Sequence, residues 1–371
     1  MGRRLISLFA LVVFGAFASA AASEARQVQS ARPVAMSEAA TSFLATLSAE
    51  ERAAATRPFE DAAARVNWSN LPTAMAPRDG LSLAVMSPAQ RQAAHTMLIA
   101  TMSSQGYGKT AAIMWLDDIL RAEETAWLAS ATLTPEQREQ RERIISSRNS
   151  GNYFLIIFGE PGDSRWGWSI SGHHMAANFT VVDGNVAFTP LFLGASPQTV
   201  RSGQYAGWRV LQHEIDRGFT LMASLNEEQR QDAVLADAVT ADLFTGRGRK
   251  DSLAAPVGLR ASQLDTQQQA LLWGLIREFV GDVADEPAAV QLESIRRDGL
   301  DALHFAWWGR TDEPDQRFMY RIHGPSILIE YVRENDAATG GPSNHVHAIV
   351  RDPRNDYGED WLGRHYTESP H

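Results

Sequence analysis

The chain contains no cysteine, and this absence excludes several kinds of chemistry at once. Disulfide bonds, thiolate metal ligands and lipid attachment through a cysteine all need the missing side chain. An excess of positive charge is also lacking, because the formal net charge is −10 at pH 7. Nucleic acids and anionic membranes bind basic surfaces, so neither is expected as the main partner.

A hydrophobic run long enough for a permanent membrane anchor is missing near the start of the chain. The apolar stretch Leu5–Phe17 is shorter than the roughly 20 residues that a membrane span needs. It follows Arg3 and Arg4, and it precedes the small-residue cleavage pattern Ala18-Ser19-Ala20. These features predict a signal peptide over residues 1–20, so we expect an exported protein, either periplasmic or secreted.

The remaining composition is that of a globular protein, with 44% hydrophobic and 21% charged residues among 371. Residues 21–35 are small and polar and predict a flexible lead-in. Residues 36–371 are predicted to form a single α+β domain. Its first part, 36–150, is predicted to be helical because helix-capping patterns recur in it. These patterns are Ser48 with Glu51, Ser87 with Gln90, and Thr134 with Gln137.

A glycine-rich segment in this helical part, Gly106-Tyr107-Gly108-Lys109-Thr110, is similar to part of a phosphate-binding loop. That motif needs a further glycine where Ser103 stands, and it follows a strand, whereas a helix is predicted here. We therefore reject a phosphate site and predict a turn between two helices.

From Tyr153 onward the hydrophobic pattern changes to that of β-strands. One β-meander is predicted over residues 152–190 and a second over 303–352, with a helical insert over 204–298 and a C-terminal tail over 353–371. The predicted fold class is α+β: duplicated antiparallel meanders form one mixed or antiparallel sheet. The helical N-terminal part and the helical insert are expected to cover that sheet.

The two meanders look like copies of one unit. Alignment of the glycine breaks Gly172 and Gly324 superimposes similar side chains from the two halves. We interpret this match as an internal duplication, in which equivalent positions of the halves can meet at the joint. The matched pairs are Trp168 with Tyr320, Ile170 with Ile322, Phe179 with Tyr331, and Asn178 with Glu330.

Distinctive motifs are spread over most of the mature chain. They are Trp68-Ser69-Asn70-Leu71-Pro72, Gly172-His173-His174 through Thr180, Leu193-Gly194-Ala195, Gly324-Pro325 through Tyr331, Asn344-His345-Val346-His347 through Pro353, Asp356-Tyr357-Gly358 and His365-Tyr366. Together they resemble the family known as domain of unknown function number 3500, and the two histidine motifs are the most specific of them. The resemblance implies a single-domain secreted or periplasmic protein, and it implies no particular activity.

The densest potential chemistry lies in the predicted strand that contains His345 and His347. Residues two apart on a strand point to the same face, so both imidazoles can reach one ion. Further ligands are predicted from His173 or His174 at the first glycine break, and from Glu330. A divalent metal ion is therefore expected as cofactor; zinc suits these ligands best, with iron or copper as alternatives. The competing interpretation is that these histidines only donate to backbone carbonyls in turns.

Three further side chains are candidates for catalysis. Arg351 could hold a substrate carboxylate or phosphate through its planar guanidinium, or it could pair with Asp352 to fix the following turn. Asp352 is included as its acidic partner. Asn178 is included because it takes the position that corresponds to Glu330 in the other meander.

These observations predict an exported metal-dependent enzyme, with hydrolysis favoured over oxygen activation. Its substrate would be a small molecule with an anionic group held by Arg351. The alternative function is a periplasmic protein that binds a small ligand without catalysis, and a purely structural protein ranks third. Strand aromatics such as Trp168 and Tyr320 are expected in the core and not stacked on sugars.

Overall fold

A computed structural model describes residues 32–239, 242–249, 251–253, 255–335 and 343–368. The predicted signal peptide lies outside the described residues, as does the first part of the predicted lead-in. The last part of that lead-in differs from the prediction, because residues 32–35 already belong to the first helix.

The helical elements follow the capping signals in the sequence. Ser48, Ser87 and Thr134 each begin a helix with a complete capping box, in which the cap side chain accepts a backbone N–H that would otherwise lack a partner. The helices are α1 (32–45), α2 (Ala49–Ala55), α3 (Ala62–Arg65), α4 (Pro88–Thr101), α5 (Ser104–Ser130), α6 (Pro135–Ser146), α7 (Gln212–Ser224), α8 (Glu227–Ala233), α9 (Thr266–Val280), α10 (Asp285–Asp298) and α11 (Glu359–Glu368).

The turn predicted at Gly106–Thr110 is wrong, because this segment lies inside α5. Ser103 caps the helix by accepting the backbone N–H of Gly106. The glycine serves close packing, since a Cβ at Gly106 would lie 1.8 Å from the carbonyl oxygen of Asp282. The segment is therefore a helix start pressed against another part of the chain.

The strands form one mixed sheet. Neighbouring strands run in the order β1-β3-β4-β5-β7-β13-β12-β11-β10-β8, with β2 paired to β3, β6 to β5 and β9 to β10. The strands are β1 (Thr56–Arg57), β2 (Leu81–Ser82), β3 (Phe154–Phe158), β4 (Arg165–Ser171), β5 (Met175–Val182), β6 (Asn185–Ala187), β7 (Leu191–Ala195), β8 (Val234–Ala236), β9 (Leu259–Arg260), β10 (His304–Gly309), β11 (Phe318–Gly324), β12 (Ile327–Glu334) and β13 (His345–Arg351).

The centre of this sheet consists of two meanders that meet edge to edge. Strands β3, β4, β5 and β7 form one half, and β10, β11, β12 and β13 form the other. The halves join where β7 pairs antiparallel with β13, in a register that sets His347 opposite Gly194. The prediction of an α+β fold with two antiparallel meanders in one mixed sheet is confirmed.

The register of the two halves matches the sequence alignment. Trp168 is paired with Phe179 across β4 and β5, and their rings stack with centroids 4.9 Å apart. Tyr320 is paired with Tyr331 across β11 and β12, and their centroids are 5.2 Å apart. These four rings are fully buried, as expected for core residues rather than a sugar-binding surface. One detail differs from the sequence pattern, which predicts that residues 186–188 form the return strand of the first meander. This segment forms only the short β6 with β5, and the strand equivalent to β13 is β7.

The two faces of the sheet are covered by different parts of the chain. Strand alternation sends Val346, Ala348 and Val350 of β13 into the large core beneath the helices. Ile349 points to the opposite face and joins a smaller apolar cluster there. His345 and His347 share the parity of Ile349, so they belong to this second face, which is covered by chain segments outside the main helical layer.

The helix-covered face contains a buried ionic cluster. Lys109 Nζ lies 2.6 Å from Glu214, 3.0 Å from Glu278 and 2.8 Å from Asp282. Burial raises the pKa of Glu214 to about 7, although the nearby lysine opposes this change. The cluster ties α5, α7 and α9 together on the side of the sheet away from the histidines.

Candidate metal centre

Three histidines from two distant motifs converge where the two meanders join. His345 and His347 project from β13 toward the second face of the sheet, and His174 immediately precedes β5. Each residue offers a ring nitrogen, and these nitrogens all lie within 4.8 Å of one another. His174 Nε2 is 3.0 Å from His345 Nε2. Metal–nitrogen bonds are about 2.0–2.1 Å, so one ion placed between the rings can reach all three after small rotations.

A carboxylate that sequence reasoning missed fixes the orientation of one ring. His347 Nδ1 donates to Asp242 Oδ1 at 2.9 Å, which leaves the lone pair of this imidazole on Nε2. That Nε2 atom is buried and has no hydrogen-bond partner among the residues that the structure describes. A buried nitrogen acceptor without a partner is costly. A metal ion bound to Nε2 would satisfy it, and a carboxylate behind a ligand histidine is typical of metal sites.

The local electrostatics keep most of these rings neutral. Burial lowers the pKa of His174 and His345 well below 6.5, and the neighbouring histidines lower it further. His347 differs: burial alone would lower its pKa, but Asp242 outweighs burial and raises it. Neutral imidazole is the form that binds metals, so the environment of His174 and His345 favours ligation.

Glycine at position 194 makes the convergence sterically possible. On β7, a Cβ at Gly194 would lie 3.1 Å from Cδ2 of His174 and 3.1 Å from Cδ2 of His347. It would also lie 2.9 Å from the carbonyl oxygen of Val346. The bare backbone therefore leaves the space that the two rings occupy.

His173 lies beside the three histidines in a separate polar network. Its ring packs on that of His174 with centroids 3.5 Å apart, and its Nδ1 is 3.1 Å from Asp117 Oδ1. Tyr153 donates to the other oxygen of Asp117 at 2.8 Å. Arg148 Nη1 lies 2.6 Å from both ring nitrogens of His173. A positive guanidinium against this ring disfavours a second cation there, so His173 is better placed to support His174 than to bind the ion.

A second set of possible ligands shares His347. It consists of Asp242, Glu334 and His347, whose ligand atoms also lie within 4.8 Å of one another. Its carboxylates already have partners, because Asp242 accepts from Asn70 at 2.8 Å and Glu334 lies 3.5 Å from Arg317. The set of three histidines is the better candidate, because the carboxylate of Asp242 is already bonded to Nδ1 of His347.

Glu330, predicted as a metal ligand, lies in a different network. Its carboxylate is fully buried and accepts two hydrogen bonds from Arg321, at 2.9 and 2.7 Å. The backbone N–H and the hydroxyl of Thr245 donate to its other oxygen. Glu330 shares the face of His347, but its register partner is Ile349. The oxygen lone pairs that would bind a metal ion are directed to these partners. In this geometry, Glu330 therefore has a structural role.

The candidate catalytic residues Arg351 and Asp352 are also taken up by structure. Arg351 is buried, pairs with Asp356, and donates to the carbonyl oxygen of Thr245 at 2.8 Å. Asp352 accepts the backbone N–H groups of the turn that follows it and the side-chain amide of Gln291. Of the two sequence interpretations, the structure supports the one in which Arg351 has a structural role. Its acidic partner is Asp356 and not the expected Asp352.

Asn178 occupies the position equivalent to Glu330, as the alignment proposed, because each lies one residue before the stacked aromatic of its strand. Its side chain is buried and donates to the carbonyl oxygen of Pro190 at 2.8 Å. Asn178 is not among the residues that line the histidine cleft. The duplication therefore places Asn178 and Glu330 equivalently without bringing either to the site.

His345 and His347, together with His173, line a cleft of about 420 Å³, and His174 is buried behind them. Its walls come from the turn that follows Trp68, from α6 and the residues after it, and from the ends of β12 and β13. Charged groups of both signs line it, including Arg148, Glu124 and Glu334. A cleft of this volume fits a small molecule or the end of a longer one.

Fold and site together define an α+β protein with two joined β-meanders and a cluster of three histidines at their joint, beside a cleft. The chain belongs to the family described as Protein of unknown function (DUF3500), which matches residues 29–359. No curated protein and no solved structure matches the chain. Within the described part of the chain, no helix has the length and apolar character needed to cross a membrane.

Proposed function

We propose that this protein is a metal-dependent enzyme whose ion is bound by His174, His345 and His347. One observation carries the proposal: in the described part of the chain, His347 Nε2 is buried without a hydrogen-bond partner, close to the ring nitrogens of two other histidines. Asp242 fixes the tautomer in which this nitrogen carries the lone pair. Packing alone does not readily explain why a buried nitrogen without a partner, a fixed tautomer and two neighbouring ring nitrogens occur together.

The donor set favours zinc and hydrolysis. Three imidazoles, with no thiolate or carboxylate among them, are a known catalytic zinc set that leaves one position open. A zinc ion bound there would supply a Lewis acid and lower the pKa of a bound water molecule. Oxygen-activating iron sites more often combine two histidines with one carboxylate, and here the nearest carboxylate, Asp242, is directed to a ring N–H.

The residues of the chain would have separate tasks in such a reaction. Asp242 holds His347 in place, and the packed ring of His173 supports His174. The role that we predicted for Arg351 in substrate binding is not part of the proposal, because its guanidinium pairs with Asp356. Arg148 lines the cleft and lies 2.6 Å from the ring nitrogens of His173, although Glu124 pairs with it at 3.2 Å.

Metal analysis of the purified protein tests the proposal. We expect about one zinc ion per chain in protein produced without a histidine tag, and loss of that ion in His345→Ala and His347→Ala. His213→Ala is the matched control, because this histidine is exposed on α7 and its replacement should leave zinc bound. Zinc-loaded protein should hydrolyse members of an ester and amide panel, and a chelator should abolish this activity reversibly.

The alternative function, ligand binding without catalysis, would be supported by a different result. Metal-free protein with an ordered small molecule in the cleft would contradict the enzyme proposal. Iron in place of zinc, together with oxygen consumption, would contradict the hydrolytic class. The exported location stays a prediction from the N-terminal sequence.

A further inference from the structure

An apolar turn borders the histidine cleft. Leu71, Pro72 and Met75 all line it, and two of them are unusually exposed for large hydrophobic side chains. Leu71 is 45% exposed and Met75 is 55% exposed. Exposed apolar side chains inside a cleft are typical of a surface that becomes covered when a ligand binds.

This turn is held rigidly against the first histidine motif. Met75 donates its backbone N–H to the carbonyl oxygen of Pro72 at 2.9 Å, which closes the turn. Arg78 Nη2 donates to the carbonyl oxygen of Leu71 at 2.7 Å and to that of Gly172 at 2.8 Å. Because Gly172 immediately precedes the two adjacent histidines, one buried guanidinium fixes the turn and the histidine motif to each other.

A second connection joins the turn to the other histidine motif. Asn70 donates to Asp242 at 2.8 Å, and Asp242 accepts from His347 at 2.9 Å. The turn is therefore connected by hydrogen bonds to both histidine motifs, through Arg78 to the first and through Asp242 to the second. A surface positioned so closely relative to a reactive centre is suited to orienting a substrate.

The chemistry of the cleft selects the kind of group that the turn would bind. Among the described residues that line the cleft, none is a tryptophan, tyrosine or phenylalanine. Sugar rings are usually bound on such aromatic faces, so a carbohydrate is disfavoured. On α6, Ile144 adds another apolar side chain to the lining. Aliphatic side chains of this type favour an apolar chain or ring.

We propose that Leu71, Pro72 and Met75 form a shelf that binds an apolar acyl or aryl group of the substrate. The hydrolysable ester or amide next to that group would then lie at the three histidines. This inference rests on the proposed function, because the ion is taken as the point that receives the polar end of the substrate.

Two hydroxamic acids of different length test the shelf. Acetohydroxamic acid and hexanohydroxamic acid share a head group that chelates zinc, and they differ by four methylene groups. Each fully buried methylene raises affinity about fourfold, so half burial of four of them gives a gain of more than about tenfold. Dissociation constants would be measured by calorimetry on zinc-loaded protein. We expect hexanohydroxamic acid to bind at least about tenfold more tightly.

The variant that removes the shelf is Leu71→Asn combined with Met75→Gln. Both side chains are exposed, so the fold should tolerate the changes. In this variant the two hydroxamic acids should bind with nearly equal affinity, and acetohydroxamic acid should bind as it does to the unchanged protein. Val85→Asn is the matched control, because Val85 is 67% exposed and lies outside the cleft lining.

Each other outcome overturns a stated part of the proposal. Equal affinities in the unchanged protein would remove the shelf and leave the metal centre standing. A chain-length gain that survives in the double variant would show that other residues bind the apolar group. Failure of both acids to bind zinc-loaded protein would place the ion outside the cleft, and the shelf would fall with the proposed function.

Discussion

Replacement of Asp242 by alanine is the sharpest test of how the candidate metal centre is built. Asp242 lines the cleft, and its side chain acts on the candidate metal centre through its hydrogen bond with His347. With alanine, the Nδ1–H of His347 loses its acceptor, and the ring is no longer held with Nε2 directed at the other two histidines. Asn70 loses its hydrogen bond to the carboxylate as well.

The expected magnitude follows from the position of this carboxylate behind a ligand. Removal of such a partner typically weakens metal binding by about 10- to 100-fold. This corresponds to about 1.4–2.7 kcal/mol in binding free energy. The three imidazoles remain in the variant, so zinc should still bind, but more weakly. The Asp242 side chain is 31% exposed, and the fold should therefore persist.

The assay is a zinc titration in competition with a coloured chelator of known affinity, at fixed pH and ionic strength. Asp183→Ala provides a matched control, because Asp183 accepts from His365 Nδ1 at 2.7 Å in an aspartate–histidine pair away from the cleft. Thermal unfolding of the metal-free proteins would show whether either change affects stability alone.

An unchanged zinc affinity in Asp242→Ala would refute the reasoning. So would an equal loss in Asp183→Ala, since the effect would then reflect a general loss of stability. Complete loss of zinc together with unfolding would assign Asp242 a structural role that its exposure does not suggest.

Three further predictions concern the surroundings of the site. Gly194→Ala should weaken zinc binding, because its Cβ would lie 3.1 Å from the rings of His174 and His347, and overpacking should lower stability by about 1–3 kcal/mol; competition titration and urea unfolding measure the two effects. Glu330→Gln should lower the free energy of unfolding by about 3–5 kcal/mol while zinc stoichiometry stays the same, because it breaks a buried ion pair. Burial raises the pKa of Glu214 to about 7, so its contribution to stability is full below 4.5 and is lost as pH rises through about 7; Glu214→Gln should flatten that decline in urea unfolding series.

The duplicated sheet could be predicted because both of its signals are local. Alternation along a strand shows which side chains share a face, and aromatic residues at matched distances from Gly172 and Gly324 fix the relation between the halves. The register of Trp168 with Phe179 and of Tyr320 with Tyr331 agrees with that alignment. The alignment did not show that residues 186–188 form only a short strand paired with β5. The two halves of the sheet are therefore joined by β7.

Strand alternation also predicted that His345 and His347 share a face, whereas the sequence left open whether His173 or His174 joins them. The hydrogen-bond network around Glu330 could not be predicted from the sequence. A carboxylate near two histidines in the sequence pattern gives no information about Arg321 on the neighbouring strand, which pairs with it directly across the sheet. Cross-strand partners depend on register, and register becomes visible only when both strands are placed.

The two aspartates that contact His173 and His347 differ in how clearly the sequence indicated their roles. Asp117 interrupts an apolar stripe of α5 between Met114 and Leu120, and a charged residue on a buried helix face indicates a specific partner. Asp242 offered no such signal, because it lies in an irregular segment with no periodicity. Its role depends on the path of that segment over the second face of the sheet, which local pattern does not determine.

Anomalous diffraction at the zinc edge, from crystals of the zinc-loaded protein, tests the central claim most directly. The account predicts one strong peak about 2.0–2.1 Å from a ring nitrogen of each of His174, His345 and His347. A peak between Asp242 and Glu334 without His174, or bound zinc with no peak at the joint of β7 and β13, would contradict it.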